Sequence, residues 1–180
     1  MSILKKQSGF TLIEVIVVAG IIAVLAGILV PIIFKEIDES KKTRATADVK
    51  SISSALMVLK KDTGQWPVSA NCSPGVTMLV GNGAVPALAA NWDNSSVNNF
   101  SNYLATDDNG CWPNTWKGPY MPTVTADPWG NAYMINAVDF LSVANPPATV
   151  WLISAGPNGV LDTAATVSAL NGDDIGIRLQ

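Results

Sequence analysis

Apolar residues run almost unbroken over residues 10–34, FTLIEVIVVAGIIAVLAGILVPIIF, with Glu14 the single ionisable group. A helix rising about 1.5 Å per residue crosses a hydrocarbon layer of roughly 30 Å within that length. A carboxylate in such a layer costs on the order of 3 kcal/mol on insertion scales, so Glu14 asks for a partner. The pattern then changes character. Ala45, Val49, Ile52, Leu56 and Leu59 form one apolar stripe at helical spacing, with Lys41, Lys42, Arg44, Asp48, Lys50 and Lys60 largely off it. This predicts that the helix continues beyond the membrane half and packs on a sheet. Pro31, with Gly20 and Gly27, marks places where it can kink. Asp62-Thr63-Gly64, followed by Pro67, predicts its end.

Residues 68–113 show no sustained period. They are rich in Asn, Ser, Gly and Ala, and only residues 76–80 and 100–104 look ordered. In Asp127-Pro128-Trp129-Gly130, Pro at the second position and Gly at the fourth predict a type I turn with Asp127 accepting from the turn backbone. Residues 133–135 and 150–154 read as two antiparallel strands. The aromatics between Trp116 and Tyr133 read as core and turn residues.

Charge sharpens this division. From Asp62 onward there are nine acids, all Asp, against Lys117 and Arg178; the other bases fall at Lys5, Lys6 and within residues 35–61. An acidic globular half excludes nucleic acid as a natural partner. Lys5 and Lys6 favour a cytoplasmic N-terminus, although Lys35, Lys41 and Lys42 oppose it. The absence of histidine removes the usual general base and the Ser-His and Cys-His nucleophile pairs. Adjacent aspartates such as Asp107-Asp108 have no nucleophile beside them, so an enzyme is not expected. Cys72 and Cys111 are not in a C-x-x-C pair, and in an exported domain a disulfide between them is the default.

Residues 154–174, SAGPNGVLDTAATVSALNGDD, form a loop dense in Gly, Asn and Asp. Hard cations take six to eight oxygens, and Asn158, Asp162, Asp173 and Asp174 offer them, with Asn171 as a further candidate. The spacing is not that of an EF-hand, and turn-capping side chains account for the composition at least as well.

Lys5-Lys6-Gln7-Ser8-Gly9 followed by Phe10-Thr11-Leu12-Ile13-Glu14 resembles the leader and processing site of type IV pilins and type II secretion pseudopilins. Asp62-Thr63-Gly64-Gln65-Trp66-Pro67, Trp116-Lys117-Gly118-Pro119-Tyr120 and the segment from Asp127 to Tyr133 resemble major (G-type) pseudopilins, with Trp66 where tyrosine is usual. The resemblance implies an α+β, pilin-like fold in which a long N-terminal helix, membrane half plus amphipathic half, packs on a small antiparallel sheet. It implies a leader over 1–9, a transmembrane and filament-core helix over 10–34, an amphipathic half over 35–63, a variable region over 64–115 and a C-terminal sheet with a calcium-type loop over 116–180. It further implies cleavage between Gly9 and Phe10 by a prepilin peptidase, N-methylation of Phe10, and pairing of Glu14 with the Phe10 amine of a neighbouring subunit.

Ser154-Ala155-Gly156-Pro157-Asn158-Gly159 and Asp173-Asp174-Ile175 resemble the two calcium-binding segments of those pseudopilins. Carried over by position, Ala155 offers its carbonyl, Asn158 stands for a ligand aspartate, Asp173 and Asp174 supply carboxylates, and Asp162 substitutes for the missing one. The function implied is that of a periplasmic pseudopilus subunit in type II secretion: a helical homopolymer working with an inner-membrane platform, its ATPase and minor pseudopilins. A type IV pilin for adhesion, motility or DNA uptake is the alternative, and a membrane-anchored periplasmic enzyme the remote one.

Overall fold

The computed structural model describes residues 9–69, 72–108, 110–141 and 149–180; of the leader expected over 1–9, only Gly9 lies within the described residues. The chain divides into two compact units, Met1–Glu39 and Ser40–Gln180. Helix α1, Leu12–Thr63, contributes to both. In the first unit the helix runs through Pro31 without a break.

In the second unit, the predicted stripe is the packing face. Ala45, Val49, Ile52, Leu56 and Leu59 are each at most 2% exposed. The helix ends where the sequence predicts. The Gly64 N–H returns to the Lys60 carbonyl at 2.8 Å, with Gly64 at a φ of 76°. Five strands follow: β1 Met78–Val80, β2 Val97–Asn99, β3 Met134–Asn136, β4 Trp151–Ser154 and β5 Ile175–Arg178. A short helix α2, Ser101–Leu104, and a 3-10 helix, Ala137–Leu141, complete the elements. The sheet order is β2-β1-β3-β4-β5.

The α+β, pilin-like expectation holds, with one correction to the sheet. Three of its pairings are antiparallel, but β1 and β2 run parallel, Met78 opposite Val97 and Val80 opposite Asn99. A parallel pair needs a crossover rather than a hairpin. Residues 81–96 supply it, so part of the apparently irregular region is a built connection.

Two apolar clusters flank the sheet. The larger joins the helix stripe to Leu79, Ile135, Leu152, Phe100, Tyr103 and Tyr133. The smaller gathers Met78, Met134, Ile153, Trp151, Trp92 and Leu161. Alternation along the strands explains the split, because successive side chains point to opposite faces. Cys72 and Cys111 are joined at an S–S distance of 2.03 Å.

Candidate functional site

Two places carry chemistry. The first is the head of α1. Every Val, Leu, Ile and Phe from position 10 to position 34 is exposed, between 47% for Val30 and 89% for Phe10. Thr11 sits just before the helix, where backbone N–H groups lack intrahelical acceptors. Its N–H donates to Glu14 Oε2 at 2.9 Å and its hydroxyl donates to the same oxygen at 2.8 Å, while the Glu14 N–H donates to Thr11 Oγ1 at 3.3 Å. This is a capping box, legible in the sequence as Thr-x-x-Glu but hidden behind the more conspicuous charge. Glu14 thus has a local partner in Thr11.

The second place is the loop between β4 and β5. Asp174 is 8% exposed, and its Oδ2 accepts from the backbone N–H groups of Asp162 at 3.0 Å and Thr163 at 2.7 Å. Asp173 Oδ2 accepts from the Asn158 N–H at 2.9 Å. The second oxygens, Oδ1 of Asp173 and Oδ1 of Asp174, are buried without a hydrogen-bond partner. Burial raises the Asp174 carboxyl above its usual range; the Thr163 side chain and then the N–H groups of Thr163 and Asp162 oppose that shift, and the nearby Asp162 charge adds to it.

Two glycines make this packing possible. Gly156 has a φ of 66°, and a Cβ there would meet the Asp173 carbonyl; Gly172 has a φ of 63°, and a Cβ there would meet the Asp162 carboxylate. Asn158 Nδ2 donates to Asp162 Oδ2 at 3.0 Å, and Asn158 Oδ1 accepts from the Val160 N–H at 2.7 Å. Asn158 therefore bridges the loop to itself, with its oxygen already engaged. Ala155 is fully buried at the loop's entrance.

The donor set suits a hard cation. Two buried carboxylate oxygens without partners are costly as they stand, and a cation with backbone and amide oxygens nearby would satisfy them. Among the described residues, no three Cys, Asp or Glu side chains converge as a ready ligand cluster. A cation here would therefore draw on few carboxylates and more neutral oxygens. Asp107, by contrast, caps a turn, accepting from the N–H groups of Cys111 and Trp112 at 3.0 Å each.

The loop is held from two sides that the sequence did not reveal. Asp127, 4% exposed, accepts at Oδ1 from the Trp129 and Asn131 N–H groups, as the predicted turn requires. Its Oδ2 accepts from the Ser154 hydroxyl at 2.6 Å, and Ser154 Oγ accepts from the Gly156 N–H at 3.2 Å. The turn is thereby tied to the loop's first residues. From the other side, the Leu161 N–H donates to the Ala87 carbonyl at 3.0 Å and the Ala165 N–H to the Ala90 carbonyl at 3.2 Å. The crossover between β1 and β2 is strapped across the loop.

Residues 4–30 match the family described as prokaryotic N-terminal methylation motif, and residues 100–168 match type II secretion system (T2SS), protein G. The chain is 31% identical over 160 residues to the type II secretion system core protein G of Escherichia coli (strain K12), covering 88% of this chain and 87% of that one. The chain belongs to the type II secretion system core protein G family. The core protein G of Pseudomonas aeruginosa (strain PAO1) is 31% identical over 129 residues, 72% of each chain. That of Aeromonas hydrophila is 27% identical over 132 residues, 73% of each chain. No solved structure matches.

Membership makes the chain a secretion-system pseudopilin, a structural subunit that assembles with other secretion components. Its apolar helix is long enough to anchor it in a membrane. The protein G match spans α2, the Asp127 turn, β3, β4 and most of the oxygen-rich loop.

Proposed function

We propose that the chain assembles through its N-terminal helix into a periplasmic pseudopilus that drives type II protein secretion across the outer membrane. The supporting observation is the exposed apolar surface of residues 10–34. Each such side chain is stabilised by roughly 1.5–3 kcal/mol when taken out of water. That surface needs an apolar surround: the bilayer before assembly, and copies of the same helix afterwards.

Lys5 and Lys6 favour a cytoplasmic N-terminus and a periplasmic C-terminal domain, an oxidising compartment suited to the Cys72–Cys111 bond. A prepilin peptidase cuts between Gly9 and Phe10, and Phe10 becomes N-methylated. The new α-amino group of one subunit pairs with Glu14 of its neighbour, offsetting the cost of burying both charges. The inner-membrane platform and its ATPase drive assembly, and minor pseudopilins join the same filament. The role is structural rather than catalytic. The loop between β4 and β5 takes one Ca²⁺ on Asp173 and Asp174, with the Ala155 carbonyl and Asn158 or Asp162 completing the set.

Mass spectrometry of the filament subunit, combined with electron microscopy of filaments sheared from membranes, tests this reading. The expected N-terminus is a methylated Phe10. Filaments built from chains that retain residues 1–9 would overturn it.

A further inference from the structure

Trp92 lies in the crossover between β1 and β2, a stretch whose sequence specifies no ligand. Its indole Nε1–H donates to the Thr163 carbonyl at 2.9 Å, across 71 positions of sequence. Thr163 is fully buried, and its own N–H donates to Asp174 Oδ2 at 2.7 Å. Thr163 Oγ1 accepts from the Asn171 N–H at 3.0 Å, tying the same residue to the far limb of the loop. Trp92 is itself 8% exposed and packs with Met78, Met134, Trp151 and Ile153 against the sheet. The buried indole is thus a post on one side of Thr163, holding its carbonyl, while the Thr163 N–H, in the preceding peptide group, holds the Asp174 carboxylate on the other.

We infer that Trp92 is a positioning residue for the cation loop, a role that rests on the calcium reading above. By fixing the Thr163 carbonyl, it restrains the residue whose own N–H holds one Asp174 oxygen, so that the buried, unpartnered Oδ1 is presented to the ion. Groups that orient metal ligands without touching the metal typically change affinity by 10–100-fold when lost. The crossover thereby supplies by packing some of the order that Asn158, a neutral residue, no longer supplies by charge.

The test titrates Ca²⁺ by calorimetry into the full-length chain in detergent micelles. Trp92→Phe keeps an aromatic ring and removes the donor. The expected result is a Ca²⁺ affinity about tenfold weaker, with a cooperative melt retained in excess EGTA. Wild-type chain that binds no Ca²⁺ overturns the calcium reading and the role of Trp92 with it. Wild-type binding with unchanged affinity in the variant overturns only the role of Trp92.

A second measurement needs no variant and decides the matter if Trp92→Phe fails to fold. Coupling is reciprocal, so Ca²⁺ must strengthen the bond that strengthens its own binding. Exchange of the Trp92 indole proton should slow on Ca²⁺ saturation by more than that of Trp151, whose Nε1–H donates to the Val167 carbonyl at 3.0 Å. Equal slowing, or none, overturns the inference.

Discussion

The head of α1 and the loop between β4 and β5 are unfinished in opposite ways. At the helix head, the polar group is satisfied: Glu14 accepts two hydrogen bonds from Thr11, while the apolar side chains around it are exposed. In the loop Ala155, Leu161 and Ala165 are buried and the polar groups are incomplete, with one oxygen each on Asp173 and Asp174 left without a partner. What a region leaves unsatisfied indicates what it waits for. Exposed hydrocarbon asks for lipid or for other copies of itself, and a buried carboxylate oxygen asks for a cation or a proton.

The largest expected effect breaks the first half of this contrast. Glu14 has two separable properties, a capping oxygen and a negative charge. Glu14→Ala removes both, whereas Glu14→Gln keeps a side chain competent in a capping box and removes only the charge. Both variants are expected to abolish filaments seen by electron microscopy after shearing, with the C-terminal unit still folded. Normal filaments from Glu14→Gln would show that the cap, and not an ion pair, is what assembly requires.

Next in size is the disulfide, which closes the excursion containing the crossover. It spans 39 positions, and a loop of that length stabilises the fold by about 4 kcal/mol in the chain-entropy model. Replacing Cys72 and Cys111 together by Ala should lower the urea midpoint accordingly, with the slope of the transition reporting a looser unfolded state. A midpoint unchanged within error would place the support of the loop elsewhere.

A smaller effect is expected from the cation. A ligand at 100 times its Kd stabilises by about 2.7 kcal/mol, which for a domain of this size is about 5–10 °C in Tm. Melting of the full-length chain in micelles should fall by that amount between saturating Ca²⁺ and EGTA. Asp174→Asn should abolish the difference. A difference that survives this substitution would place the ion elsewhere.

Local features of this molecule were legible in its sequence. The helix stripe, its stop at Gly64, the Asp127 turn and strands β3 and β4 each follow from side-chain period or turn chemistry within a few residues. Long-range partners were not. Nothing near Trp92 announces a hydrogen bond to Thr163, and nothing near Asp127 announces one to Ser154. The parallel pairing of β1 and β2 was hidden because Val97-Asn98-Asn99 has neither alternation nor β-branched density. The carboxylates of the oxygen-rich loop were legible as a set, but their unequal burial was not. Asn158 was legible as an oxygen donor, while its engagement with Val160 was not.

The smallest expected effect concerns the second unit alone, and shows that a buried polar group need not be incomplete. Tyr133 is 1% exposed, and its hydroxyl donates to Asp48 Oδ2 at 3.0 Å, joining β3's flank to α1. Burial, followed by the Asp48 hydrogen bond and charge, raises its pKa well above the usual phenol value of 10.0. The folded state therefore holds its proton more tightly than the unfolded state. Its stabilising contribution is complete below about pH 10, the unfolded value, and declines as pH rises further, because only the unfolded chain can ionise there. Urea midpoints taken from pH 9 to pH 11 should fall in the wild type and fall less steeply in Tyr133→Phe, which is less stable at pH 9 for want of the Asp48 bond. Parallel slopes in the two proteins would mean that Tyr133 is not the group whose ionisation the fold resists.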